Sequence, residues 1–356
     1  MKTNHNHFLN LAFNLAKINL GKTNLNPSVG CVVVKDNSVI SSGITSINGR
    51  PHAEAIALNK NINFKGSSVY VTMEPCTHYG LTPPCTNIIK KKGVKKVFYT
   101  FDDIDIRTTK KSKIDLLKKN IKVYKKKIKN FKDFYQSYFI NKNYDLPLID
   151  AKIALSKDNY SINKKEKWIT NFYSRCRTHL IRSEYDSIIS TSKSINKDNS
   201  LLNCRLNGFD KKKPSLVIID LNLKIRKNLK IFESPINRKI LIITLNKKSN
   251  KLKYFKKKGV KFLTIKSLDK QEDFIYLFKL LKKKGFSRML LESGLIFLNK
   301  LLLNKLIFNL FIFKSSNKLG RNGLNNGSIN YIKRFKIKKK INVNLDGDKL
   351  YKIKIK

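Results

Sequence analysis

At 356 residues the chain is long enough for two domains of ordinary size. Its 41% hydrophobic and 10% aromatic residues supply a buried core, which excludes wholesale disorder. The 75 Lys and Arg against 24 Asp and Glu give a formal charge of +51, yet the lysine runs at 90–92, 125–127, 211–213, 256–258, 282–284 and 338–340 are spread along the whole chain. A nucleic-acid footprint would cluster on one face or tail. The charge therefore points to attraction of small anions such as sugar phosphates, without specific nucleic-acid binding.

Residues 1–7 carry no apolar run or small-residue cleavage site of a secretory signal. The most apolar stretch, 301–313, is interrupted by Asn304, Lys305 and Asn309 and is too short and polar to span a membrane. The five cysteines are odd in number and widely spaced, which predicts reduced thiols in the cytoplasm, some of them held for a metal.

In chain order, Phe8, Leu11, Ala12, Leu15 and Ala16 share one helical face and predict an opening amphipathic helix, broken by Asn26-Pro27-Ser28. Strands are predicted over 29–34 and 39–43, a helix over 52–60, and a strand over 68–72 that runs into Glu74-Pro75-Cys76. A short helix over 86–92 is stopped by Gly93, and 94–101 is a further strand. This alternation predicts an α/β sandwich. Residues 125–145 are basic, aromatic and unpatterned, and the connection between domains is expected there, ending near Pro147. A second series follows, with strands over 148–155, 187–191, 216–220, 239–245, 260–265 and 288–292 and helices over 171–182, 271–284 and 295–304. The segments 335–343 and 350–355 alternate apolar residues with lysine, as a terminal hairpin does.

His52-Ala53-Glu54, Pro75-Cys76 and Cys85 are the most informative residues. A zinc deaminase needs three protein ligands, an open position for water and a nearby carboxylate that is not a ligand. His52, Cys76 and Cys85 supply a His/Cys/Cys set. Glu54, two residues past His52, can take a proton from water and deliver it to a ring nitrogen and then to the leaving amine. A closed structural site with His78 as fourth ligand is the alternative, and it leaves Glu54 without a role. Cys31 falls inside an apolar strand and reads as core.

The common deaminase signature places two residues between its cysteines. Here the spacing is longer, as Pro75-Cys76-Thr77-His78-Tyr79-Gly80-Leu81-Thr82-Pro83-Pro84-Cys85. That stretch closely resembles the deaminase half of the bifunctional riboflavin-biosynthesis deaminase–reductases. Asn26-Pro27-Ser28-Val29-Gly30-Cys31 is similar to the same family's early motif, which lines the pyrimidine pocket; by residue type alone Asn26 could equally cap a turn. The family usually carries a glycine-containing loop soon after Asp102, Asp103 and Asp105; here Thr108-Thr109-Lys110-Lys111 has none.

The second half has no G-x-G-x-x-G motif, so its residues alone support only an α/β domain. The resemblance adds more. Lys152-Ile153-Ala154-Leu155-Ser156-Lys157-Asp158 resembles the family's first reductase strand, Trp168-Ile169-Thr170 its signature tripeptide, Glu292-Ser293-Gly294 its acidic-glycine motif and Leu319-Gly320 a terminal piece. It implies a cytidine-deaminase-like αβα sandwich over 1–146 and a dihydrofolate-reductase-like α/β domain over 147–356. It also implies that Ala154, Trp168, Ser194, Asp198 and Gly294 contact NADPH, while Glu166, Arg182, Leu202, Arg205 and Glu292 face a ribosyl-phosphate substrate, as Asn26 does in the first domain. Arginine suits a phosphate because its planar fork binds two oxygens. The cofactors implied are Zn2+ and NADPH, and the partners are a small ribosyl phosphate and further copies of the chain, with no membrane. The sequence departs from the family at Asn159, Ser200, Leu221 and Phe308-Asn309, where a glycine, a proline, a small polar residue and an acidic pair are usual.

Overall fold

The computed structural model describes residues 4–128, 131–209, 213–233, 238–246, 248–327 and 340–356. Lys211 and Lys212 of one lysine run, Lys338 and Lys339 of another, and positions 335–339 of the expected hairpin lie outside these. The chain divides into two compact units, residues 1–146 and 147–356.

The first unit comprises α1 (His5–Ile18), β1 (Gly30–Lys35), β2 (Ser38–Ile44), α2 (Ala53–Leu58), β3 (Ser68–Met73), α3 (Cys85–Lys91), β4 (Lys96–Phe101), α4 (Lys111–Leu117), β5 (Lys122–Lys125) and α5 (Gln136–Tyr144). Its sheet runs in the order β2-β1-β3-β4-β5. β1 is antiparallel to both neighbours, and β3, β4 and β5 are parallel. The pleat sends alternate side chains to opposite faces. Val32, Val34, Tyr70 and Phe98 pack under Phe8, Leu9 and Ala12 of α1. Cys31, Val33, Val69, Val71 and Val97 pack on the other face with Ala53 and Ala57 of α2, Ile89 of α3 and Leu116 of α4. Three layers result, with Cys31 fully buried as core.

The stretch 125–145 is not the loose connection expected from its composition. Its aromatics recur at helical spacing, and Tyr135 and Tyr138 are buried in the first unit's core with Phe131, Phe134 and Phe139 packed against it. The basic residues between them hid the period.

The second unit contains β6 (Leu148–Leu155), β7 (Tyr160–Asn163), α6 (Phe172–Arg182), β8 (Ser187–Thr191), α7 (Ser192–Asp198), β9 (Ser215–Ile219), β10 (Ile240–Thr244), α8 (Asn250–Lys257), β11 (Lys261–Thr264), α9 (Gln271–Lys283), β12 (Arg288–Leu291), α10 (Leu295–Leu303), β13 (Asn309–Lys314), β14 (Gly323–Asn326), β15 (Lys340–Ile341) and β16 (Lys349–Lys354). Its main sheet has the order β11-β10-β9-β8-β12-β6-β13-β16-β15, parallel from β11 to β13 and antiparallel thereafter. A separate ribbon pairs β7 with β14. Parallel strands covered on both faces need continuous apolar runs, and Leu216–Ile219 and Ile240–Ile243 are such runs, all buried. No helix among the described residues is long and apolar enough to cross a membrane.

Two departures from the family pattern have a structural account. Asn159, where glycine is usual, has φ +72°; Asn is the side chain that best tolerates that left-handed region. Asn309, within the replaced acidic pair, is buried and donates from Nδ2 to Asp150 Oδ1 at 2.7 Å.

Candidate functional site

In the first unit three chain segments converge. His52 caps the N-terminus of α2, Cys76 follows β3 and Cys85 opens α3. Their ligand-type atoms all lie within 4.8 Å of one another. His52 Nδ1 is 3.6 Å from Cys76 Sγ and 3.4 Å from Cys85 Sγ. Tetrahedral zinc with ordinary Zn–S and Zn–N bonds would set those separations at about 3.5 Å. The donor set therefore fits the ion in both type and spacing. The Cys85 backbone N–H donates to Cys76 Sγ at 3.2 Å. Hydrogen bonding from the Cys85 side chain holds the Cys76 thiol well below its usual range, and the same pairing pushes Cys85 up. One sulfur is thus ready as a thiolate ligand.

Glu54 is buried, in the first turn of α2. Burial, and then the negative charge on Cys76, pushes its carboxyl up to about 7. A group so placed can hold a proton or release it near neutrality. His78 is not part of the ligand cluster; its Nδ1 lies 2.9 Å from Thr108 Oγ1. A cleft opens beside these residues, lined among others by Asn26, Arg50, Glu74, Asp105, Arg107 and Lys142. Asn26 contributes to that lining and donates from Nδ2 to Gly49 O at 3.2 Å, a contact to a segment 23 residues away rather than a cap on its own turn.

Glu74 organises the cleft wall, a part the motif reading did not assign. Its buried carboxylate accepts from the backbone N–H of Asp103 (3.2 Å), Lys110 (3.1 Å) and Ser112 (3.2 Å), and from Ser112 Oγ (2.8 Å). The loop after β4 is thereby fastened to the Glu74-Pro75-Cys76 turn. Tyr138, from the aromatic segment before β6, donates to Asp103 Oδ1 at 2.7 Å.

In the second unit some of the residues expected around substrate and cofactor meet. Arg182 at the end of α6 pairs with Glu292 just past β12, Nε to Oε1 at 2.6 Å and Nη2 to Oε2 at 3.0 Å, and its Nη1 donates to Asn203 O at 3.0 Å. Burial opposes ionisation of Glu292, but Arg182 and Lys152 outweigh it and hold the carboxyl below its ordinary value. Lys152 Nζ lies 4.0 Å from Glu292 Oε2. Arg205 joins the group through Asn203, donating from Nη1 to its Oδ1 at 2.7 Å. His179 Nδ1 meets Asn203 O at 2.9 Å, and burial followed by the charges of Arg182 and Arg205 lowers its pKa to about 4. Leu202 is buried at φ +48°, with its carbonyl accepting from Arg238 Nη1 at 2.6 Å.

Among the residues expected at NADPH, Gly294 N donates to Ser194 Oγ at 3.2 Å. Gly294 caps α10 without a side-chain acceptor for the first turn, and uncapped N–H groups of this kind suit a phosphate. Asp198 ends α7, where burial raises its pKa, and Ala154 lies on β6. Trp168 is half exposed, with the Arg175 guanidinium 5.0 Å from its ring. Glu166 is exposed and makes no hydrogen bond or ion pair among the described residues, so it stands apart from Arg182, Arg205 and Glu292. Lys152 and His179 had no role in the motif reading. Lys152 sits inside the recognised strand segment, and its approach to Glu292 is set only by the fold.

Residues 2–101 match the family described as the cytidine and deoxycytidylate deaminase zinc-binding region, and residues 147–325 match the RibD C-terminal domain. The chain is 30% identical over 298 residues to riboflavin biosynthesis protein RibD of Aquifex aeolicus, covering 81% of this chain and 80% of that protein. It is 31% identical over 308 residues to the protein of the same name from Buchnera aphidicola, covering 81% and 80%. The crystal structure of a diaminohydroxyphosphoribosylaminopyrimidine deaminase/5-amino-6-(5-phosphoribosylamino)uracil reductase from Thermotoga maritima superposes with a TM-score of 0.83 at 26% identity, covering 98% of both chains. A RibD structure from Acinetobacter baumannii gives 0.81 at 27% identity with the same coverage. The chain thus belongs to the family of bifunctional riboflavin-biosynthesis deaminase–reductases, enzymes that act on a small molecule, use zinc for the deamination and use NADPH for the reduction.

Proposed function

We propose that residues 1–146 form the zinc deaminase domain and residues 147–356 the NADPH-dependent reductase domain of a two-step enzyme. The first hydrolyses the amino group from 2,5-diamino-6-(5-phosphoribosylamino)pyrimidin-4(3H)-one. The second reduces the product, 5-amino-6-(5-phosphoribosylamino)uracil, to the ribityl compound. The observation that carries the reading is the buried Glu54 carboxyl beside the clustered His52, Cys76 and Cys85 at the foot of an open cleft.

His52, Cys76 and Cys85 hold the ion, which supplies a Lewis acid that makes water a competent nucleophile near neutral pH. Glu54 would take the first proton that water gives up and deliver it to the ring nitrogen, then carry the second, from the added hydroxyl, to the amine that leaves as ammonia. Its raised pKa suits both halves of that shuttle. Asn26 binds the pyrimidine.

In the second domain Ala154, Trp168, Ser194, Asp198 and Gly294 hold NADPH, which supplies the hydride. Glu292 and Arg205 face the ribosyl phosphate with Leu202 beside them. Arg182 has all three of its nitrogens engaged, and so acts there by fixing Glu292. By the resemblance Glu166 faces the substrate as well. The chain is read as a homo-oligomer; the even spread of lysine runs supports the absence of a specific nucleic-acid partner, and the five free cysteines support the reducing cytoplasm.

The test is to give the diaminopyrimidinone ribosyl phosphate to zinc-loaded protein and to follow ammonia and NADPH together. Ammonia release preceding NADPH oxidation is expected. NADPH oxidation without prior ammonia would overturn the assigned order, and absence of ammonia would overturn the deaminase reading.

A further inference from the structure

The deaminase cleft is lined by Arg50, Arg107 and Lys142, and these three cations are not equally available. Arg107 is clamped by Asp105, Nε to Oδ1 at 2.9 Å and Nη2 to Oδ2 at 2.6 Å, and Lys142 Nζ lies 3.2 Å from the same Oδ2. One carboxylate thus neutralises much of both charges, and its own pKa is driven far below the carboxylate range, first by the Arg107 hydrogen bonds. Arg50 is half-buried and, among the described residues, has no carboxylate within ion-pairing distance. Its Nη1 donates to Thr82 Oγ1 at 2.8 Å, and its Nη2 lies 3.4 Å from where a Cβ on Gly80 would stand. A half-buried guanidinium without an anion forgoes hydration for little return.

A second observation is independent of charge. Arg50 Nη1 lies 3.4 Å from His52 Nε2. His52 turns its Nδ1 to both cysteine sulfurs, so a neutral ring with a ligating Nδ1 carries its proton on Nε2. Two N–H donors then face each other across the cleft wall, and an oxygen acceptor placed against both would satisfy them. Thr82, 32 residues away in the loop between the cysteines, accepts from the Arg50 guanidinium where it lines the cleft.

We propose that Arg50 reads the phosphate of the deaminase substrate, taking one phosphate oxygen in concert with the Nε2–H of His52. This rests on the reading of the cleft as the site of ribosyl-phosphate deamination. A guanidinium fork matches a phosphate monoester, and a half-buried site strengthens the attraction relative to water. Arg50 is then the residue by which the first domain separates phosphorylated from dephosphorylated substrate.

The experiment compares ammonia release from the ribosyl phosphate and from its dephosphorylated counterpart, using the zinc-loaded full chain as wild type, Arg50→Ala and Arg50→Lys. Arg50→Ala is expected to lower kcat/KM for the phosphorylated substrate at least about tenfold, through KM, and to leave the dephosphorylated one within about threefold. Inhibition by ribose 5-phosphate should weaken in parallel, with Arg50→Lys intermediate. If both substrates lose activity equally, Arg50 serves only to place His52 or the Thr82 loop, and the proposal is overturned; it is likewise overturned if neither changes. Zinc content and circular dichroism show whether the alanine variant is folded, and Arg50→Gln reads the same ratio should it not be. Failure of wild type to release ammonia from either substrate would instead sink the deaminase reading.

Discussion

Glu292 and Arg182 meet edge to edge, 2.6 Å at Nε and 3.0 Å at Nη2, although 110 residues separate them in the chain. Both side chains are largely buried, at 8% and 11% exposure, so neither charge has water to fall back on. Removing one partner of such a pair costs about 3–5 kcal/mol. Glu292→Ala is therefore expected to lower the denaturant midpoint by an amount of that order. The milder Glu292→Gln should stay folded and lose most reductase activity while releasing ammonia at the wild-type rate. Parallel loss of both activities would point to general misfolding.

The two activities should separate on metal removal. Chelation, or Cys85→Ala, is expected to abolish ammonia release while leaving NADPH oxidation on pre-formed deaminated substrate. Glu54→Gln keeps the ligand set, so it should retain zinc by elemental analysis and still lose about 10²–10⁴ in deamination rate. Full ammonia release by either variant would remove these residues from the site.

Glu74 accepts four hydrogen bonds from the loop after β4 and is buried. Glu74→Ala leaves three backbone N–H groups without their acceptor, which should cost about 3 kcal/mol and free the loop. Limited proteolysis is the direct measurement, with new cleavage expected between Asp103 and Ser112. An unchanged digestion pattern would show that the loop is held by other contacts.

His179 links stability to pH. Its folded pKa of about 4 lies below the ordinary 6.5, because burial and then Arg182 and Arg205 disfavour the imidazolium. Between those values the unfolded chain binds more protons than the folded one, so this contribution is complete above about 6.5 and is lost as pH falls toward 4. Denaturation midpoints should therefore drop more between neutral and mildly acidic pH in wild type than in His179→Gln. Equal drops would show that His179 titrates alike in both states.

What the sequence determined by itself was local. The residue types and order of His52, Glu54, Cys76 and Cys85 made the donor set legible, because few other chemistries need that combination, while the packing of three separate segments brought the donors together. The apolar runs fixed most strands of the second unit to within a residue or two. The tertiary structure alone decided which distant side chains meet. It turned the aromatic segment around Tyr135 and Tyr138 into core, set Lys152 4.0 Å from Glu292, fastened the cleft wall to Glu74, and left Arg50 without the carboxylate that Arg107 and Lys142 share. Apart from the helical spacing of the aromatic segment, none of these contacts has a period along the chain. Each depends on the direction in which two separately formed elements pack, and burial then sets the strength and protonation of the charges they bring together.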